Sequence, residues 1–133
     1  AGLTHYYNRH KFHFAAVTHD PRRGRVLRIM SCLGDWPDGR LTFFPDEPVP
    51  LPGDGPVALA ADVDGAKLQF WWRGEGGDWT ALGPVLDASL ISDEAGRGEH
   101  GSFTGAFIGM AAFDTSGTAL PADFSYFEYR RRD

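Results

Sequence analysis

Cysteine is nearly absent: Cys32 is the only one in 133 residues. One thiol cannot build an internal disulfide framework or a four-cysteine zinc site. It lies in the strand-like run VLRIMSCL and reads as a core side chain, because no patterned base accompanies it as a nucleophile would require. Positive charge is also scarce, with 13 Lys and Arg against 18 Asp and Glu and a net charge of -5. Surfaces that track phosphates are usually basic, so nucleic acid is not an expected partner. No apolar run reaches the roughly 18 residues that a membrane-crossing helix needs, and no membrane partner is expected. The opening AGLTHYYNRH lacks the basic-then-apolar pattern of a secretory leader, which by itself assigns no compartment.

Catalytic motifs are missing too. There is no G-x-S-x-G elbow, and RGEGGD (Arg73 to Asp78) lacks the lysine and the following helix of a phosphate-binding loop. Five histidines are present, His5, His10, His13, His19 and His100, with no H-x-H or H-E-x-x-H spacing. His13 and His19 share a strand parity, but six residues of strand separate them by about 20 Å, too far to chelate one ion. Neither a metal site nor a cofactor is expected, and the histidines are read as strand-end or surface hydrogen-bonders. The carboxylate pairs Asp35/Asp38, Asp46/Glu47 and Asp93/Glu94 would suit a glycosidase only if two of them faced each other across a sugar. All three lie in turn-like contexts, where such residues cap turns or meet solvent. No catalytic residue is assigned.

What the chain does have is the composition of one folded domain: 42% hydrophobic and 23% charged residues, in a length that can bury a core. Its 17 glycines and 9 prolines punctuate it every 8 to 12 residues or so, the rhythm of a β-sandwich. Strands are predicted near Leu3–Asn8, Phe12–Thr18, Arg25–Leu33, Val57–Asp64, Ala66–Arg73, Trp79–Leu82, Thr104–Phe113 and Ala122–Arg130. In ADVDGAKLQFWW, Asp64-Gly65 is the pair that a two-residue type I′ turn favours. It joins two period-two apolar faces, Val57/Leu59/Ala61/Val63 and Leu68/Phe70/Trp72. Phe43 to Pro56 holds five prolines and two glycines; it is read as an extended edge crossing or a long loop, never a central strand. Asp87 to Gly98 has room for one helical turn at most.

Aromatic residues stand out: Trp36, Trp71, Trp72, Trp79 and the run FSYFEYR. Rings fill β-sandwich cores or form platforms for sugar faces. Adjacent Trp71 and Trp72 must point to opposite faces. Trp72 shares the parity of Leu68 and Phe70, so Trp71 is the outward one. GSFTGAFIGMAAFD, Gly101 to Asp114, reads as a strand without a wet face, since both parities are apolar where an open antiparallel strand would alternate.

AGLTHYYN, GRVLRIMSC, VALAADVDGAKLQFWW, GPVLDAS, FTGAFIGM and ADFSYFEY, in that order, resemble the C-terminal β-sandwich of glycoside hydrolase family 43 β-xylosidases. The resemblance runs over nearly the whole chain. It implies an all-β, concanavalin A-like antiparallel sandwich of jelly-roll type, here lacking its first strands. Residues 1–133 would then be a single domain, a C-terminal fragment of a larger, propeller-containing glycosidase. The implied partners are the catalytic β-propeller of the same enzyme and a xylo-oligosaccharide or arabinoxylan, and the parent could be a homo-oligomer. The catalytic carboxylates belong to the propeller. The resemblance further implies that a loop residue of the sandwich reaches the rim of the sugar pocket. Phe103, at the end of EAGRGEHGSF, is the expected residue, and Phe107 is expected in the core. Against this stands an autonomous carbohydrate-binding module using Trp71 and Trp36.

Overall fold

The computed structural model describes residues 1–34, 39–95 and 105–131. They form eight strands: β1 (Gly2–Asn8), β2 (Lys11–Asp20), β3 (Gly24–Leu33), β4 (Leu41–Pro50), β5 (Val57–Asp64), β6 (Lys67–Gly74), β7 (Thr80–Asp87) and β8 (Phe107–Ala111). A single 3₁₀ turn, Ala88–Leu90, follows β7. The strands make two antiparallel sheets, a five-stranded one ordered β4-β3-β2-β1-β8 and a three-stranded one ordered β5-β6-β7.

The core lies between the sheets. Leu3, Ala15, Leu27 and Ile29 of the larger sheet meet Leu68, Phe70, Leu82 and Leu86 of the smaller, with Leu51 and Ala88 at the margins. These positions alternate along their strands, as period-two geometry requires. Trp72 packs on this cluster, opposite Leu59 in the β5–β6 ladder, so Trp71 takes the other face, between Ala60 and Ala81. Cys32 is buried.

Turn chemistry accounts for the connections. Asp20 accepts from the backbone N–H groups of Arg22 and Arg23 at 2.8 and 2.9 Å, closing the β2–β3 turn onto Gly24. The β5–β6 turn falls one residue later than predicted. Asp64 pairs with Lys67, so Gly65 and Ala66 are the central residues. Only Gly65 of the two has positive φ, at +56°. That excludes type I′ and fits a turn that puts glycine first. The apolar pairing of the hairpin is unaffected. In β7 the register shifts between Leu82 and Leu86, and Gly83 sits at φ +63°, the mark of a bulge. Gln69 donates its amide N–H groups to Phe70, Leu82 and Gly83 carbonyls around it.

Several expected boundaries change. The proline-rich stretch is an edge segment as expected, and its part up to Pro50 lies in strand β4 at a sheet edge, where prolines cost no ladder bonds to a second neighbour. β7 runs on to Asp87, and β8 keeps only the middle of its expected span. Ala122–Arg130 forms no strand: the segment is exposed, with Phe124, Tyr126, Phe127 and Tyr129 all open to solvent. High β-propensity alone does not make a strand; pairing and burial do, and no described strand pairs with this segment. Phe107 is 60% exposed. It lies across from Tyr6, on the face away from the core, while Ile108 packs inward. The expectation of a core Phe107 is thereby corrected.

Candidate functional site

The inner face of the five-stranded sheet turns polar at one end. Tyr7, His5, Lys11, His13 and Ser31 are all buried there, beneath the 3₁₀ turn and residues 91–95. His5 and His13 oppose each other across the β1–β2 ladder, with ring centroids 6.3 Å apart. His13 Nδ1 lies 2.7 Å from Ser31 Oγ and Nε2 lies 3.3 Å from the Asp87 carbonyl. His5 Nδ1 is buried without a hydrogen-bond partner. Desolvation, with the neighbouring His13 charge as a lesser cause, pushes His5 down to about 4. Desolvation also lowers His13, against the opposing pull of Asp87. Both rings are therefore neutral near pH 7.

Beside them stands a second polar group. The Tyr7 phenol donates to Asp93 Oδ1, which also accepts the Gly105 N–H at 3.2 Å. The Lys11 ammonium donates to the Ser92 carbonyl at 2.9 Å and lies 4.6 Å from the Tyr7 ring centroid. The Tyr7 hydrogen bond foremost, then that of Gly105 and the charge of Lys11, hold the Asp93 carboxyl below its usual range. A buried acceptor-free imidazole and a singly placed carboxylate do not make a hydrolytic pair, and among the described residues no group of three or more His, Cys, Asp or Glu could hold a metal ion.

The expected site residues fall apart spatially. Phe103, Trp36, His100 and the pair Asp35/Asp38 lie outside the described residues. Trp71 is half-buried on the outer face of the smaller sheet. Glu47 forms an exposed ion pair with Arg23. Asp93 is drawn into the Tyr7 contact rather than paired with Glu94. The histidines His5 and His13, expected at strand ends or on the surface, are instead buried between the sheets. That pairing had no local signal: a plain hairpin turning at Arg9–His10 would set His5 opposite Phe14, and the register shift between Tyr6 and Asn8 brings His13 there instead. The Tyr7–Asp93 contact had none, since 86 residues separate the partners.

The other face of the five-stranded sheet is apolar. By ladder register Tyr6, Phe12, Phe14, Met30, Phe43 and Phe107 share it. Phe113 leans on Phe14 with ring centroids 5.6 Å apart. A hollow of about 90 Å³ opens there between Phe14, Met30, Phe43 and Phe113, with Ala16, Thr18 and Arg28 at its sides. The Arg28 guanidinium lies 4.9 Å from the Phe43 ring centroid, and its Nε is buried without a partner.

A sandwich of this topology with these ordered segments can be compared with known proteins. The model of the β-xylosidase C-terminal concanavalin A-like domain matches residues 1–130. The chain belongs to this family. Xylosidase/arabinosidase 43B of Humicola insolens is 48% identical over 131 residues, covering 98% of this chain and 24% of that protein. The β-xylosidase of Bacillus subtilis (strain 168) is 34% identical over 134 residues, covering 99% of this chain and 24% of that protein. The crystal structure of xylan β-1,4-xylosidase from Bacillus halodurans C-125 superposes with a TM-score of 0.79 at 30% identity, covering 88% of this chain and 22% of that one. The chain thus spans about a quarter of the length of the relatives it matches, and the family fold is the concanavalin A-like sandwich described above.

Proposed function

We propose that this domain is the non-catalytic partner of a glycosidase propeller in one polypeptide that removes xylose or arabinose from xylo-oligosaccharides or arabinoxylan. It packs on that propeller and helps to close the sugar pocket, with Phe103 at the rim. The observation that carries the docking part is the apolar outer face of the five-stranded sheet, where Tyr6, Phe43 and Phe107 are open to solvent. Phe14, Met30, Phe43 and Phe113 line its hollow, and Thr18 and Arg28 are the polar side chains beside them. A sugar site places convergent hydrogen-bonding groups among its rings; a surface meant for another protein face does not need them. The unpartnered Arg28 Nε supports the same reading, because a covering chain can supply the carbonyl it lacks. The exposed run from Leu120 to Tyr129 is a further surface awaiting cover, by the propeller or by strands from the same polypeptide that complete the sandwich.

The test compares the parent enzyme with its Phe103→Ala variant on xylobiose, beside calorimetric titration of residues 1–133 with xylohexaose. The expected result is a reduced kcat/KM in the variant and no heat of binding for the domain alone. A binding module is the second reading, supported by half-buried Trp71 on the outer face of the smaller sheet, between Ala60 and Ala81 in the ladder. Binding by the domain alone, abolished by Trp71→Ala, would replace the first reading with the second.

A further inference from the structure

We infer that the stretch of polypeptide directly before Ala1 continues strand β1 along Thr18–Asp20 of β2, and that its first outward side chain is apolar and closes the hollow on the outer face. The inference deepens the reading above by naming one occupant of that face. It rests on that reading only in taking the domain as the C-terminal part of a longer polypeptide.

β1 and β2 do not end together. β2 runs to Asp20, and on its β3 side Thr18, His19 and Asp20 pair with Val26, Arg25 and Gly24. On the other side the ladder reaches only Ala1. The Ala1 amine donates to the Val17 carbonyl at 3.1 Å, and the Val17 N–H donates to the Ala1 carbonyl at 2.9 Å. Two residues that exchange both bonds are a hydrogen-bonded antiparallel pair, and such pairs alternate along a ladder. His19 is therefore the next residue of β2 whose N–H and carbonyl point to the β1 side. β1 is the strand on that side, and it stops short of His19. Thr18 and His19 are accordingly exposed. An unpaired strand end is a template for another segment. A segment joined to Ala1 already points along it and pairs without the cost of bringing two chains together. Burial holds the Ala1 amine below its ordinary pKa, a desolvation of charge that a peptide N–H in the same place avoids. The matched family domain is C-terminal, and the match covers 24% of each of the two relatives above, which leaves most of such a polypeptide on the Ala1 side. Register then fixes the side chains. The residue just before Ala1 shares the outer face with Gly2, by period two. It falls opposite Thr18 in a non-hydrogen-bonded pair, the kind whose side chains approach most closely. Thr18 is a wall of the hollow that Phe14, Met30, Phe43 and Phe113 line. An apolar side chain there gains by burial against those walls, whereas a charged one would lose its hydration to them.

The test compares amide hydrogen exchange at His19 in residues 1–133 and in the full-length polypeptide that carries this domain, with Val17, paired in both, as the internal reference. Exchange at His19 is expected to be at least about a hundredfold slower in the full-length protein, because fraying strand ends open at almost no cost and interior ladder amides do not. Equal exchange in both overturns the continued strand. Slowing within residues 1–133 that grows with protein concentration gives the edge to a second copy and overturns its assignment to the same chain. Thr18→Glu is the second arm. Thr18 is exposed in this domain, so the variant should leave the melting midpoint of residues 1–133 nearly unchanged and lower that of the full-length protein by a few degrees. No drop in the full-length protein, or an equal drop in the domain alone, overturns the closing of the hollow. The docking reading fails differently, through Phe107→Ser. Slowed exchange at His19 with no effect of Phe107→Ser confined to the full-length protein upholds the continued strand and overturns propeller docking on this face. Unslowed exchange with such an effect overturns the strand alone.

Discussion

The two faces of the five-stranded sheet are both largely apolar, yet the outer one is covered only in part: Phe14 and Cys32 are buried on it, while the rings around them are open. On the inner face, Leu27, Ile29 and Ala15 are wholly buried against the smaller sheet. On the outer face, Tyr6, Phe43 and Phe107 remain open to solvent, though the ladder register gives them the same regular spacing. An apolar strand face is a demand for a partner, not evidence that the partner lies in the same chain. The faces differ in polarity in the opposite sense from the usual one. The inner face holds the buried polar groups His5, Lys11, His13 and Ser31, whereas on the outer face Thr4 is buried and Thr18 and Arg28 flank the hollow. Polar side chains can be buried where backbone carbonyls and hydroxyls meet them, as Asp87, Ser92 and Ser31 do here.

The comparison breaks most sharply at Phe70, which is fully buried at the centre of the smaller sheet. Phe70→Ala is expected to lower the unfolding free energy by about 3–5 kcal/mol, the transfer and cavity cost of a buried ring. A domain of this size has a total of roughly 5–15 kcal/mol, so the urea midpoint should collapse toward zero denaturant. Gly2→Ala follows. A Cβ at Gly2 would come 1.9 Å from the Ala15 carbonyl oxygen, backbone that cannot step aside without opening the β1–β2 ladder. A loss of about 1–3 kcal/mol is expected, measured by the same unfolding curve.

The histidine pair sharpens the comparison by pH. His5 has a folded pKa of about 4 against an ordinary 6.5, and His13 is lowered in the same direction. The fold binds these rings in their neutral form, so their contribution is fully present above about pH 6.5 and is lost as pH falls toward 4. Thermal melts from pH 7.5 to 4.5 should show a falling midpoint, and His5→Gln should flatten that fall. An unchanged slope in the variant would remove His5 from the account.

Much of the fold was legible because it depends on local pattern. The period-two runs Val57/Leu59/Ala61/Val63 and Leu68/Phe70/Trp72 specify their strands through nearest neighbours, and the Trp71/Trp72 parity follows from strand geometry alone. The ordered family segments brought the sandwich class with them. What was not legible depends on partners distant in sequence. FSYFEYR has the propensity of a strand and stays unpaired, because propensity cannot say whether an edge is there to receive it. Phe107 looked like core because both parities of its strand are apolar, and no local rule states which one faces the second sheet. Of the candidate site, the outward Trp71 was legible, whereas Asp93 resembled any turn carboxylate until Tyr7 was brought beside it.

The smallest expected effect tests the exposed part of the outer face. Phe107 is 60% exposed and faces away from the core, so Phe107→Ser in residues 1–133 should change the unfolding free energy by less than about 0.5 kcal/mol, as for an ordinary surface position. In the parent polypeptide the same change removes a ring from the proposed interface. Burying a phenylalanine contributes about 1.5–3 kcal/mol, and that contribution appears only when a covering partner is present. Differential scanning calorimetry of the domain and of the parent therefore reads the difference directly. A drop confined to the parent assigns the outer face to an intramolecular partner. A drop of equal size in the isolated domain would mean that Phe107 is already packed within this chain, and the contrast between the two faces would be lost. No drop in either would leave the outer face an ordinary surface and move the docking contact elsewhere on the domain.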